Sequence, residues 1–482
     1  MIADELEYRI WQNFGLEPTR EQREVVKTFT QFMFHRSDAV MILRGAAGTG
    51  KTTLAAALVR TTVQMLKASE DHMPVVLLAP TGRAAKVFSL HANLPAYTIH
   101  RHIYRQKTFN GDLTAFTLNP NHHHDTLFVV DEASMISNAA APNSHLSPLF
   151  GSGQLLDDLI RYVYSGTNCR LLLIGDHAQL PPVGETVSPA LSRQVISSYG
   201  LTVFESEMNE VMRQSLESGI LMNATYVRNL EPGIMPIITF DGFSDIRPVP
   251  GNELIEELTS SYSRVGIDDT IVVTRSNKRA NIYNNGIRNQ ILDREEMLST
   301  GDMLMIVKNN YFWTAKEEKG DKADNIPPFI ANGDRAQVLR VRNVRSLYGL
   351  TFADVWLRFP DYDNYEMQVV TLLNTLSSEA PALTAEQQQQ LFEGVLADYA
   401  DIPHKSDRMK KVREDPYYNA LQVKYAYAVT CHKAQGGQWS HVYVDQGYIT
   451  DDMLTTDYIH WLYTAITRST EKLYLVNWKN DK

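Results

Sequence analysis

Between Gly45 and Gly50-Lys51-Thr52-Thr53 stand four residues, Ala46-Ala47-Gly48-Thr49, and that spacing belongs to a loop that cradles phosphate. Glycines let the chain turn tightly enough for successive N–H groups to face one anion, and the following helix adds its positive end. Gly48, Thr49, Gly50, Lys51, Thr52 and Thr53 are the expected contacts to a nucleoside triphosphate. Lys51 would set its ammonium against the β/γ oxygens, and Thr52 would offer its hydroxyl to Mg²⁺. ATP with Mg²⁺ is therefore the implied cofactor pair. Asp131-Glu132 supplies the remaining groups that hydrolysis needs: Asp131 for the metal, Glu132 to polarise the attacking water. Gln179, in Gly175-Asp176-His177-Ala178-Gln179, is a neutral amide suited to sensing a γ-phosphate; a plain turn is the alternative. Charge that builds on the transferred phosphoryl group calls for an arginine from across a cleft. Arg213 and Arg468 are the two candidates, and Arg468 lies in the apolar run Tyr463-Thr464-Ala465-Ile466-Thr467.

These groups need a scaffold, and the apolar runs indicate one. Residues 39–43 precede the loop and the helix-forming stretch 54–59 follows it. Further runs at 75–79, 126–130 and 170–174 are almost wholly apolar, as expected of parallel strands covered on both faces. Each ends in polar residues, where open α/β sheets place their sites. Thr19 or a neighbour is expected to cap a helix through Val25, Val26, Phe29 and Phe32. Residues 107–116 read as a hairpin turned at Asn110-Gly111. A second α/β unit follows Arg213, is interrupted by alternating, half-exposed strands after Gly333-Asp334, and resumes near Tyr425.

Composition narrows the class. The chain has 482 residues, too many for one core, and its hydrophobic fraction of 44% fits packed domains. Two cysteines, Cys169 and Cys431, form neither a disulfide framework nor a metal-binding pattern. No run of 18 apolar residues and no basic, apolar leader is present, so a soluble cytoplasmic protein without membrane partners is expected. A formal charge of −10 excludes a basic coat but leaves room for a locally positive channel. No second carboxylate cluster suggests a two-metal nuclease.

Taken together, these segments resemble the RecD/Dda-like group of superfamily 1B DNA helicases over nearly the whole chain. The resemblance implies an α/β fold of two RecA-like P-loop NTPase domains, with a small β-hairpin inserted in the first and an SH3-like β insertion in the second. The implied boundaries are an accessory helix at 1–15, the first RecA-like domain at 16–102 and 126–210, and a pin hairpin at 103–125. The second RecA-like domain would cover 211–346 and 421–482, around an insertion at 347–420. It implies that Gln22 reads the adenine edge, that Gln179 links γ-phosphate to the strand, and that Arg213 and Arg468 are arginine fingers. The segment Thr430-Cys431-His432-Lys433-Ala434-Gln435-Gly436 resembles the family's late coupling motif, with Ala434 where serine is frequent, and places Gly436 at the nucleotide. Pro80, Thr81, Arg83, Thr98 and His100 would hold single-strand phosphates or sugars from the first domain, and His432 and Lys433 from the second. Capping and packing remain the plainer reading of Thr98 and His100. Trp439 is suited either to stacking a base or to a core, and the basic run 404–413 either to DNA or to a solvated helix face.

The expected activity is ATP-dependent 5′→3′ translocation on single-stranded DNA and opening of single-strand/duplex junctions, by a monomer whose protein partners the residues do not name. Two alternatives stand beside it: an RNA or RNA–DNA helicase or remodeller, and a nucleotide-switched clamp that binds nucleic acid without processive unwinding.

Overall fold

The computed structural model describes residues 2–66, 74–109, 112–139, 149–210, 217–315 and 329–479. Two parallel sheets dominate it. The first holds six strands in the order β3-β2-β6-β8-β1-β9: β1 (Ala39–Gly45), β2 (Val75–Ala79), β3 (Ala96–Thr98), β6 (Leu127–Val130), β8 (Arg170–Gly175) and β9 (Thr202–Met208). Their unbroken apolar sequences follow from burial on both faces. Along β1, Ala39, Met41 and Leu43 enter one core while Val40 and Ile42 enter the other. The first of these cores is covered by α1 (Ile2–Phe14), α2 (Arg20–Met33) and α3 (Lys51–Met65), which contribute Ile10, Phe29 and Leu58. α2 opens with a capping box: the Thr19 hydroxyl accepts from Gln22 N–H at 3.3 Å, and the Gln22 side-chain carbonyl accepts from Thr19 N–H at 2.9 Å.

Two strands leave this domain as a hairpin, β4 (Tyr104–Phe109) and β5 (Asp112–Leu118), paired antiparallel from Tyr104↔Leu118. The short β7 (Leu149–Phe150) adds to β5 in parallel. The Asn110-Gly111 turn itself lies outside the described residues.

The second sheet has five parallel strands in the order β10-β19-β18-β11-β17: β10 (Ile246–Val249), β11 (Thr270–Thr274), β17 (Ala428–Thr430), β18 (Trp439–Asp445) and β19 (Ser469–Val476). Between β11 and β17 the chain forms a closed barrel of β12 (Met303–Ile306), β13 (Arg335–Leu347), β14 (Leu350–Phe359), β15 (Tyr365–Leu372) and β16 (Leu421–Tyr425). The barrel thus begins earlier than the insertion expected at 347–420, because β12 and β13 are needed to close it: β12 pairs with both β13 and β16. The all-apolar Met303-Leu304-Met305-Ile306 is too short to separate a barrel strand from a parallel one by pattern alone. The described residues thus form two RecA-like α/β domains, the first carrying a hairpin insertion and the second a barrel insertion.

Candidate nucleotide and nucleic-acid site

Three neighbouring strands deliver the phosphate chemistry. β6, β8 and β1 lie side by side, so Asp131-Glu132, the 175–180 loop and the glycine loop emerge together at their carboxyl ends. Gly48 and Gly50 adopt left-handed φ values of 76° and 80°, which turn the chain into α3. Gly45 is needed for a different reason, because a Cβ there would lie 2.8 Å from the Lys51 side chain. The Lys51 ammonium donates to the carbonyls of Gly45 and Ala46, the latter at 2.8 Å, and the Thr49 hydroxyl closes the loop onto Ala46 O at 2.8 Å. Thr52 stands half-buried on the first turn of α3, while Thr53 is exposed on the same turn.

Asp131 is half-buried, and its carboxyl is pushed up to about 7, first by loss of solvation and then by Glu132; Glu132 N–H at 2.9 Å and Lys51 pull the other way. A carboxylate so short of positive partners suits a cation, and Thr52 with Asp131 is a donor set for Mg²⁺, which takes hard oxygen ligands alongside substrate phosphates. Among the described residues no group of three or more His, Cys, Asp or Glu side chains forms a self-sufficient metal site. Glu132 holds a left-handed φ of 52°, an uncommon backbone for glutamate. Gln179 is buried, and its side-chain oxygen has no hydrogen-bond partner. A buried amide left open in this way fits a group that answers to bound phosphate or water.

Other assignments look different in place. Gln22 reaches the loop, but as a fully buried capping residue whose NH₂ donates to Thr49 O at 3.0 Å. Its amide is engaged at both ends, with the oxygen taken by Thr19 N–H and the NH₂ given to the phosphate loop. Arg213 lies outside the described residues. Arg468 is buried and held within its own domain, by Thr464 O at 3.0 Å, Gly437 O at 3.2 Å and the Thr467 hydroxyl at 3.1 Å. Gly436, expected at the nucleotide, faces the start of the helix Gly82–Ala92, and a Cβ on it would meet the Thr81 hydroxyl at 3.2 Å.

The expected track follows the helix α4 (Gly82–Ala92) and the short α5 (Ile99–Ile103). Thr81 caps α4 and Thr98 caps α5, each hydroxyl accepting a backbone N–H at 3.2 Å, so the capping reading of Thr98 is satisfied as it stands. Pro80 and Thr81 are half-buried, and Thr81 faces Gly436 of the second domain. His100 packs its ring against Tyr104 and Phe329, and burial lowers its pKa to about 4, which makes it a neutral imidazole. Arg83 crosses to the second domain, with its guanidinium 4.3 Å from the Trp439 ring centroid and a bond to Gln438 O. Trp439 is thereby buried under an arginine and not open to a base. His432 is exposed beside Lys433 on the four-residue helix Cys431–Ala434. The Lys433 ammonium is buried without a hydrogen-bond partner, and burial followed by Lys424 lowers its pKa to about 8.

Several groups on the domain interface carry no motif signal of their own. Tyr463, on the helix Thr456–Ile466 of the second domain, accepts from Ala47 N–H at 2.9 Å and donates to Asp176 at 2.5 Å. Thr464 accepts from Leu180 N–H at 2.8 Å, and Gln435 donates to Leu180 O at 2.8 Å. Within the first domain, Glu21 accepts from the N–H groups of Asn209 and Glu210 at 2.6 and 2.7 Å. Closeness to Arg468 along the chain is the one signal that points to Tyr463 and Thr464.

Comparison with known proteins adds two family matches: an AAA domain over residues 17–144 and a UvrD-like helicase C-terminal domain over residues 425–476. An uncharacterized protein of Methanocaldococcus jannaschii is 23% identical over 91% of this chain, which spans only 36% of that relative. An uncharacterized protein of Acanthamoeba polyphaga mimivirus is 22% identical, over 72% of this chain and 74% of its own length. Among solved structures, a Bacteroides Pif1 helicase in complex with ADP-AlF3 and ssDNA aligns with 96% of this chain and 93% of its own, at 14% identity and a TM-score of 0.45. Pif1 helicase from Candida albicans aligns with 96% of this chain and 95% of its own, at 15% identity and a TM-score of 0.42. An AAA domain implies nucleotide binding, and no helix among the described residues is long and apolar enough to cross a membrane.

Proposed function

We propose that the protein is an ATP-dependent DNA helicase of superfamily 1B type that moves 5′→3′ along a single strand and opens single-strand/duplex junctions. The observation that carries this is the cleft itself. Lys51, Asp131, Glu132 and Gln179 converge on one side, and the second-domain helix that runs into the Arg468 turn touches the same loops through Tyr463 and Thr464. The matched UvrD-like helicase C-terminal domain covers that helix. In this reading Lys51 and the amides at the start of α3 hold the phosphates, and Glu132 orients water. Gln179 registers the terminal phosphate, and Arg468, with Arg213, answers the charge that develops there. Mg²⁺ held by Thr52 and Asp131 would neutralise phosphate oxygens. The strand would lie across Pro80, Thr81 and Arg83 on one domain and His432 and Lys433 on the other. Polarity and the RecD/Dda placement rest on motif resemblance.

The test is ATP hydrolysis with and without single-stranded DNA or matched RNA, in wild type and Lys51→Ala. Stimulation by DNA that Lys51→Ala abolishes supports the reading; equal stimulation by RNA widens the substrate to both nucleic acids. One observation favours a nucleotide-switched clamp instead, namely that each guanidinium nitrogen of Arg468 donates to an acceptor of its own domain. Negligible multiple-turnover hydrolysis alongside nucleotide-dependent strand binding would decide for it.

A further inference from the structure

A second-domain tyrosine sits on the phosphate loop of the first domain. The Tyr463 hydroxyl accepts from Ala47 N–H at 2.9 Å and donates to Asp176 at 2.5 Å. The same Asp176 also accepts from Ala178 N–H at 3.0 Å, so it organises the loop that carries Gln179. Tyr463 is buried, and burial with the Asp176 carboxylate raises its phenol well above the ordinary range, which keeps the hydroxyl a donor toward Asp176. Its chain neighbour Thr464 takes Leu180 N–H at 2.8 Å through its hydroxyl, and through its carbonyl accepts from Arg468 at 3.0 Å. One turn of helix thus grips two first-domain loops on one side and the candidate finger on the other.

Ala47 stands three positions before Gly50, the residue that caps α3. The expected phosphate contacts begin at the next residue, Gly48, so the Ala47 N–H is not among them. Tyr463 and a bound nucleotide need not compete for the loop, and the hydroxyl ties the loop to the helix that leads into Arg468.

We infer that Tyr463 is a positioning residue that sets Arg468 according to the state of the phosphate loop and of the Gln179 loop. The inference rests on the proposed ATPase reading, in which Arg468 acts on the nucleotide. Its test is a double-mutant cycle of Tyr463→Phe and Arg468→Ala, read as kcat and KM for ATP at saturating single-stranded DNA. Phe keeps the ring packing and removes only the hydroxyl, and a thermal melt of each variant confirms folding. Tyr463→Phe should lower kcat roughly tenfold while KM moves less than about threefold, the pattern of an interaction realised in the transition state. Added to Arg468→Ala it should change kcat by less than about twofold, since residues acting through one another are not additive. Tyr463→Phe with wild-type kcat overturns the inference, as does a double mutant that falls by the product of the single losses. Direct binding of a fluorescent ATP analogue gives a readout apart from turnover: Tyr463→Phe should leave its affinity within about threefold, and a tenfold weaker affinity assigns Tyr463 to loop integrity instead. If wild type hydrolyses nothing, or Lys51→Ala matches it, the ATPase reading fails on its own; an active wild type with an intact Tyr463→Phe variant overturns only the coupling.

Discussion

Lys433 makes a prediction that can be worked from its surroundings. Its ammonium is buried with no hydrogen-bond partner, and burial and the charge of Lys424 bring its pKa down to about 8. A strand phosphate beside it would restore the ordinary lysine value, about 10.4. The free protein then loses this proton as pH rises through about 8, whereas the complex keeps it, so binding takes up a proton above pH 8 and affinity falls as pH rises. Between pH 7 and pH 9 the protonated fraction of the free site drops from roughly nine-tenths to roughly one-tenth, so affinity for single-stranded DNA should weaken about tenfold. The fold itself responds in the opposite sense: the unpaired ammonium opposes folding below pH 8, and that opposition fades as pH rises toward the unfolded value. Fluorescence anisotropy of a labelled oligonucleotide across pH and salt measures the binding. Lys433→Arg, which cannot lose its proton in this range, should bind with a flat pH profile, and Lys433→Ala should lower the log–log salt slope by about 0.7. Lys433→Arg with the wild-type pH dependence, or Lys433→Ala with an unchanged salt slope, would refute the reasoning.

Other perturbations have equally definite outcomes. Asp302, fully buried, accepts from Arg288 at 3.2 Å, Arg294 at 2.8 Å and Tyr427 at 2.8 Å, so Asp302→Ala strands two cations and should cost about 3–5 kcal/mol by urea unfolding; a loss under about 1 kcal/mol would contradict this. Gly48→Ala imposes a side chain at φ 76° and brings its Cβ to 2.9 Å from Leu221 of the facing domain, so nucleotide affinity should fall about tenfold or more, and wild-type binding would contradict it. Removing Mg²⁺ with a chelator should abolish hydrolysis while leaving the circular-dichroism spectrum unchanged, because the described residues form no structural metal cluster; hydrolysis that persists would remove Thr52 and Asp131 from a metal role.

Much of this arrangement is legible in the order of residues alone. The phosphate loop, Asp131-Glu132 and the 175–180 loop each follow an apolar run, and a strand buried on both faces ends abruptly where its polar residues begin. The capping box at Thr19 and Gln22 can also be read from spacing. What pattern does not reveal is partnership across the cleft. Tyr463, Arg83 and Trp439 meet residues hundreds of positions away, and nothing in their local sequence says which face they turn toward. The barrel's first strand is hidden for a related reason: four apolar residues carry no period that distinguishes antiparallel from parallel surroundings. Spacing likewise brings Gly436 to the cleft without saying which side of it the loop faces, and the fold turns it toward Thr81.

The central claim is a motor that tracks single-stranded DNA in one direction, and duplex unwinding tests it most directly. Two substrates with the same duplex, one carrying a 5′ single-stranded tail and the other a 3′ tail, are offered with ATP and Mg²⁺. The account predicts that the 5′-tailed duplex alone is opened, and that Lys51→Ala opens neither. Opening from the 3′ tail would contradict the direction, and no opening of either duplex by an enzyme that hydrolyses ATP on single-stranded DNA would contradict the helicase.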